Sequence, residues 1–597
     1  MKDQEKKTPT LISSIENIFE IQEDEGPNKV ISLEQAIRQN VQPGMSIFLG
    51  YDASAASCEI LRQFWDTTPG FTLIMSVVTE HALSLVHAGL VKKLIASICT
   101  HSYPTPGPSK VVQRAFKNKT IDIEFWSLYS LQQRLMAGAQ GIPFTPTKSL
   151  IGSSMAKENK DSFIIIDDPF GSGERIGLAK ALNPDIAIIH ALASDGYGNT
   201  LPSPVSQDTH WGPKASKKTL VTVEHIVATS YIRKHSSLVR FPGYMVHAVS
   251  QAQLGAHPQC LANGILAGIE SYAEDREFMV DYREASQSPD RLTSWIQEWI
   301  IDCRDHSAYV NKLGTERIQS LKEGALEDNW RSELSYARAT ISPSCKYNLM
   351  EMMIIGAARK IRQRVIESNH ATMLAGVGAS SLAAWLAFYN LRQYDRYPIE
   401  LIVGSGLFGN TPRPGNPFPL KLSDVWSCKM LGDVSEMYGV HVGGQNARCV
   451  SVLSAAQVDR CGNLNAAKLS NDTLLVGPGG SNDNTSGASE VIVVMPQIRE
   501  RFLDQLPYIS CRGDRVSTLI STMGILEKDH SQEFMLTKCM PSSKSMSIKK
   551  RIETTKDNCG WELKVANRVD DILPPTVEEL TTLRLLDPTG FFIGESG

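Results

Sequence analysis

"DIAIIHALASDGYGNTLP", residues 185–202, decides the fold. Its first part, "DIAIIHA" (185–191), is an Ile-rich apolar run that reads as a buried strand. The run leads into a D-x-x-G-N turn from Asp195 to Asn199. In such a turn Asp starts the bend through its side chain, Gly supplies positive φ, and Asn tolerates the exit. The same pattern recurs in "SAAQVDRCGNLNA" (454–466), from Asp459 to Asn463. Upstream of each turn another strand enters a glycine, Gly50 in the first half and Gly376 in the second. Two features repeated in the same order indicate a duplicated unit.

Working outward, strand-like runs alternate with helical ones, the pattern of α/β units around a mainly parallel sheet. In the first half the strand candidates are "MSIFLG" (45–50), "FTLIMSVV" (71–78), "KKLIASIC" (92–99), "TIDIEF" (120–125) and "FIIID" (163–167). In the second half they are "TMLAG" (372–376), "IELIVG" (399–404), "CVSVLSA" (449–455), "TLLVG" (473–477) and "EVIVVM" (490–495). Residues 357–368 and 381–393 carry helical periodicity. The segment 322–343 is polar, lacks strand character, and reads as a linker. The expected organisation is a polar tail (1–30), a first domain (31–321), the linker (322–343) and a second domain (344–597).

Composition excludes several classes. The 597 residues carry a net charge of −4, so no basic footprint argues for nucleic acid. No apolar run approaches the roughly 18 residues of a membrane span. The start, "MKDQEKKTPT", has no apolar h-region, so a cytoplasmic protein is expected. The eleven cysteines are scattered without CxxC spacing and the thirteen histidines form no metal motif, so reduced thiols and no metal are expected.

Several longer stretches then carry a resemblance. "AGAQGIPFTP", "DIAIIHALASDGYGN", "GAHPQC" and "EWIIDCRDHSAYVNKLGTERIQSLK" resemble the α subunit of the glutaconate CoA-transferase family. "LIVGSGL", "AAQVDRCGNLN" and "GPGGSNDNTSGASEVIVVM" resemble its β subunit, in the order α then β. The resemblance implies an α/β fold of two related CoA-transferase-type domains with mainly parallel sheets, closing on an active site at their interface. It also implies that two copies of the fused chain pair as a homodimer.

In transferring members a glutamate on the turn matching "IVGSGL" carries CoA as a glutamyl thioester. Aligned on Ser405-Gly406-Leu407, that position is Gly404, which has no carboxylate to form the intermediate. Glu400, four residues earlier on the same strand face, lies about 13 Å away along an extended chain. The loop after Gly50, "YDASAASCEILRQF", is shorter than the family's and lacks its arginine. Ring-opening relatives place a glutamate shortly after the strand matching "TIDIEF", and Leu128 stands there.

Ligands of open α/β sheets bind beyond the carboxyl ends of the strands. By that rule three consecutive strands deliver Glu80, His81, His101 and Glu124 to one rim, where a histidine beside a carboxylate forms a proton-transfer pair. In the second half Gly404, Ser405 and Gly406 let backbone approach a ligand. The loop with Gly477, Gly479, Gly480 and Asn482 resembles the family's CoA-contacting and oxyanion-binding loop. Ser405 and Cys428 are conceivable nucleophiles without supporting context, and His257 in "GAHPQC" is a candidate pocket residue.

The expected function is an enzyme that acts on an acyl thioester of coenzyme A or a carrier protein without a glutamyl-CoA intermediate. It would cleave a C–C bond, decarboxylate or hydrolyse an enolisable, β-keto type thioester. No cofactor is expected beyond the CoA or phosphopantetheine of the substrate, and neither nucleic acid nor membrane is an expected partner. The alternatives are a transferase with a relocated nucleophile and a catalytically silent thioester-binding module.

Overall fold

The computed structural model describes residues 15–104, 106–204, 209–341, 343–415, 417–418, 421–470, 473–541 and 546–594. Each half is built on one large sheet with helices on both faces. In the first half seven strands run parallel, in the order Ala248–Gln251, Lys218–Val227, Ile186–Asp195, Ser46–Leu49, Phe71–Val78, Val91–Cys99 and Asp122–Phe125. All ten residues of Ile186–Asp195 are buried, because a central parallel strand covered on both faces has no solvent side.

The second half centres on five parallel strands in the order Glu400–Val403, Thr372–Ala375, Cys449–Leu453, Glu490–Val494 and Val516–Ile520. Helices Leu349–Glu367 and Ala379–Gln393 pack on this sheet, the second with an unbroken buried run from Ala379 to Phe388. The first is opened by an Asn348–Glu351 capping box, and buried Glu351 pairs with Arg584 at 2.7 Å, tying down the last helix, Val577–Leu586.

The two D-x-x-G-N turns fold alike. Asp195 Oδ1 accepts from the N–H groups of Tyr197, Gly198 and Asn199 at 3.1, 2.8 and 2.8 Å, and Oδ2 accepts from Asn199 Nδ2 at 2.8 Å. Asp459 repeats this with the N–H groups of Cys461 and Asn463 at 3.0 and 2.9 Å and Asn463 Nδ2 at 2.8 Å. Gly198 and Gly462 have φ of +106° and +81°. The repeat is therefore structural, although in the second half the strand ends at Leu453 and the turn sits on a separate short strand, Gln457–Asp459.

Two expectations need correction. Phe163–Asp167 belongs to a separate antiparallel sheet with Arg175–Lys180 and Phe144–Thr147. Of "TLLVG" only Thr473–Leu474 is strand, paired with Lys468–Ser470, and the rest is an extended loop. The polar segment 322–343 holds a helix, Trp330–Thr340, whose Glu333 pairs with Arg276 at 3.1 Å. No helix among the described residues is long and apolar enough to cross a membrane.

Candidate active site at the interface of the halves

The halves meet where the glycine loop of the second enters between elements of the first. Cys99 N–H donates to Val476 O at 2.7 Å, and Gly479 N–H to Ser97 O at 3.2 Å. Leu128 N–H in turn donates to Gly479 O at 3.1 Å. A Cβ on Gly477 would lie 2.3 Å from Ser97 O, so only glycine admits this contact, and its φ of +112° favours glycine as well. The junction is reinforced by buried Asp483, which accepts from Ser127 Oγ at 2.5 Å, Ser149 Oγ at 2.7 Å and Tyr129 N–H at 3.0 Å. Burial pushes the Asp483 carboxyl up to about 6, with these donors opposing.

Two of the loop residues expected to offer free N–H groups are thus already engaged. Gly477 N–H donates to Ala466 O at 2.9 Å, and Gly479 N–H to Ser97 O. Asn482 is a staple: its Oδ1 accepts from Leu150 N–H at 2.8 Å and its Nδ2 donates to Ser510 O at 2.8 Å. Gly406 N–H closes the 404–406 turn on Val403 O at 3.0 Å. The loop's first service is close packing between the halves.

Tyr438, which sequence reasoning missed, fills the centre. It lies on the π-helical turn Met437–Val442, a local widening that recurs at functional sites. A Cβ on Gly404 would lie 2.0 Å from Tyr438 Oη, and one on Gly480 would lie 1.7 Å from it. The phenol hydroxyl therefore occupies the space that a side chain at 404 would enter, held between two glycines. Tyr438 is 6% exposed. Burial, reinforced by Asp483, pushes the phenol well above its usual range, so it stays neutral and keeps its O–H. Leu128 and Gly404, where the resemblance places the acids of two kinds of relative, both border this tyrosine through Gly479–Gly480 or directly.

A cavity of about 590 Å³ lies alongside, between Leu192, Leu201 and Arg240 of the first half and Met430, Gly432 and Asp433 of the second. Gly432, on its lining, donates its N–H to Gly406 O at 2.8 Å, so this wall of the cavity is paired with the glycine turn. Arg240 donates to the backbone of Ser237 at 2.8 Å and, among the described residues, has no carboxylate within 4.0 Å.

The predicted rim is a buried layer, roofed by the chain around residues 254–286. Glu80 is 2% exposed and accepts from Ser102 N–H at 2.8 Å, Ser102 Oγ at 2.9 Å and Gln259 Nε2 at 3.1 Å. Burial raises its carboxyl above the ordinary value. His81 Nδ1 meets Ser54 Oγ at 3.2 Å and His101 Nε2 meets Ser286 Oγ at 3.2 Å. Each histidine's other ring nitrogen is buried without a partner, and burial lowers both imidazoles to about 4. No histidine–carboxylate pair forms at this rim among the described residues.

Glu124 stands apart. It pairs with Lys93 at 2.6 Å and Arg134 at 3.0 Å and accepts from Trp126 Nε1 at 2.7 Å. Burial pushes its carboxyl up, but these partners hold it below the ordinary value, which makes it a fixed counter-ion and not an acid. Ser405 Oγ is buried without a partner, so no base activates it. Burial pushes the Cys428 thiol up to about 12. Glu400 is tied to Lys429, and His257 is locked between Asp275 at 2.9 Å and Tyr309 at 2.6 Å.

Residues 30–252 match the coenzyme A transferase family. Over 323 residues the chain is 30% identical to the A polypeptide of glutaconate CoA-transferase from Acidaminococcus fermentans, covering 49% of this chain and 95% of that protein. The chain belongs to the CoA-transferase family. It is also 28% identical over 264 residues to the B polypeptide of 3-oxoadipate CoA-transferase from Pseudomonas knackmussii, covering 40% of this chain and 94% of that one. A single CoA-transferase-family chain here matches both kinds of polypeptide that its relatives carry separately. The fold as a whole is that of an acyl-CoA transferase from E. coli O157:H7 solved as a thioester complex with CoA (TM-score 0.61, 15% identity, 95% of this chain and 98% of that chain).

Proposed function

We propose that this CoA-transferase-family protein is an acyl-thioester lyase, and that its reaction is decarboxylation of a thioester bearing a carboxylate β to the carbonyl. One observation carries the reading: Tyr438 Oη fills the place of a side chain at position 404. A glutamate there would clash with this hydroxyl and be blocked by it from an acyl group.

A neutral phenol suits a reaction that needs a donor and no base. In decarboxylation the C–C bond to the carboxylate breaks, CO2 leaves, and the electron pair moves onto the thioester oxygen as an enolate. Tyr438 donates a hydrogen bond to that oxygen, and the α-carbon then takes a proton from water. Hydrolysis would need a base beside Tyr438 to activate water, whereas Asp483 there already accepts three hydrogen bonds and Glu80, His81 and His101 are bonded within a different layer, to Ser102, Ser54 and Ser286. Arg240, facing the adjoining cavity, is suited to the substrate's carboxylate before it leaves. The thioester is carried by coenzyme A or phosphopantetheine, and two copies of the chain are expected to pair.

The test is turnover of malonyl-type CoA thioesters by the parent protein and Tyr438→Phe. Loss of one donor to a developing oxyanion costs about 10²–10³ in kcat. Intact-mass measurement after borohydride trapping is expected to find no protein-bound CoA. A carboxyl-linked CoA adduct on the parent protein would reinstate transfer through a relocated nucleophile. Failure to turn over any acyl thioester that binds would leave a silent binding module.

A further inference from the structure

A second charged groove lies at the opposite end of the parallel strands of the second sheet. Arg448 immediately precedes Cys449–Leu453, Arg515 precedes Val516–Ile520, and Glu490 opens Glu490–Val494, so the groove gathers at the amino ends of the parallel strands. The glycine turn at 404–406 follows a carboxyl end. The groove holds about 580 Å³ and is lined by Arg364, Arg448, Arg515, Lys528, His370 and the carboxylates Glu490 and Asp514.

The carboxylates are already spoken for. Glu490 takes Arg364 at 2.9 Å, His370 Nε2 at 3.0 Å and Ser517 Oγ at 2.5 Å, while Asp514 takes Arg512 at 2.6 Å. Among the described residues Arg448, Arg515 and Lys528 have no carboxylate within 4.0 Å. Two of them are held in place by backbone: Arg515 donates to Ala488 O at 3.0 Å and Lys528 to Gly513 O at 2.6 Å. The lining therefore carries four cationic side chains against two carboxylates, in a chain whose net charge is −4.

His370, 3% exposed, also lines the groove, with its Nε2 on Glu490 at 3.0 Å. We infer that this groove binds a phosphate-bearing small molecule, at a site separate from the thioester chemistry. Guanidinium groups match phosphate oxygens in geometry, and three cations with no carboxylate within 4.0 Å supply the charge.

The experiment is isothermal titration of the full chain with inorganic phosphate, pyrophosphate and ATP at low ionic strength. Saturable binding of at least one is expected, weakened about tenfold or more in Arg448→Ala/Arg515→Ala, since each lost charged hydrogen bond is of that order. Equal affinity for phosphate and ATP assigns the free ion, and tighter ATP assigns a nucleotide. Thioester turnover without added phosphate is expected to be unchanged in the variant. Both replaced side chains are exposed, and Lys528→Gln, measured in parallel, gives a second reading of the same groove. Absence of binding by all three probes, or binding equal in parent and variants, overturns the inference.

Discussion

Restoring the family's acid by Gly404→Glu tests the site directly. Gly404 is not among the residues of positive φ, so the backbone there accepts a side chain and the obstacle is contact alone. The new Cβ would sit 2.0 Å from Tyr438 Oη, 2.5 Å from Cζ and 2.8 Å from Cε2. Carbon and oxygen atoms settle near 3.5 Å, so the ring must retreat by about 1.5 Å. It cannot retreat freely, because Gly480 closes on the same hydroxyl from the other side and the ring packs in the buried core cluster with Val434, Met437 and Val442.

Overpacking of this kind costs about 1–3 kcal/mol. A carboxylate buried beside Asp483 adds to it, so about 3 kcal/mol is the expected total. For a domain the size of the second half that lowers Tm by about 6–12 °C. The decisive assay is a double-mutant cycle with Tyr438→Ala, followed by thermal unfolding. Tyr438→Ala alone leaves a cavity and costs about 3–5 kcal/mol. If the phenol is what excludes the acid, the double variant loses about 1–3 kcal/mol less than the sum of the singles. The adduct assay extends this: trapped glutamyl-CoA is expected from the double variant alone. An unaltered Tm for Gly404→Glu, or strict additivity in the cycle, would refute the reasoning.

Three further outcomes follow from the same geometry. Glu124→Gln should leave turnover unchanged while lowering Tm, since it breaks the buried pair with Arg134 and the pair with Lys93; a large drop in kcat with unaltered Tm would return Glu124 to the chemistry. His81 has a folded-state value of about 4 against 6.5 when unfolded, so between those values the unfolded chain binds the extra proton and acid destabilises the fold. The stability difference between His81→Asn and the parent should therefore move in the variant's favour by up to roughly 3 kcal/mol from pH 7 to pH 4, read from denaturant melts at each pH. Asp483→Ala strands three donors at the junction, at about 1–3 kcal/mol each, and should loosen the two halves, seen as faster hydrogen exchange at residues 127–130 and 476–484; unchanged exchange there would show that the junction does not depend on Asp483.

Much of the fold was legible because its signals are local. Ile-rich runs and two D-x-x-G-N turns mark buried strands and their exits within a dozen residues each. Strands such as Lys218–Val227 were less visible, because "KTLVTVEHIV" mixes Thr, Glu and His into a strand whose polar side chains are satisfied inside. Glu224 in it accepts from His190 at 2.8 Å and Leu254 N–H at 2.9 Å, pairings that depend on residues more than 29 positions away. The same limit governs Glu80, His81 and His101. Their placement at strand ends follows from sequence, but the roof over them comes from residues 254–286, and only the assembled fold shows it.

Position 404 carries the argument furthest. From the sequence it is an empty place, a glycine where relatives keep an acid, and emptiness alone favours no particular chemistry. The structure replaces emptiness with occupation: the hydroxyl arrives from Tyr438, on a π-turn that no periodicity announces, and it fits only because 404 and 480 are both glycine. In this backbone a side chain at 404 and the phenol of Tyr438 compete for one space. The proposed conversion of the site rests on this competition between Tyr438 and a side chain at 404, and the double-mutant cycle measures it directly.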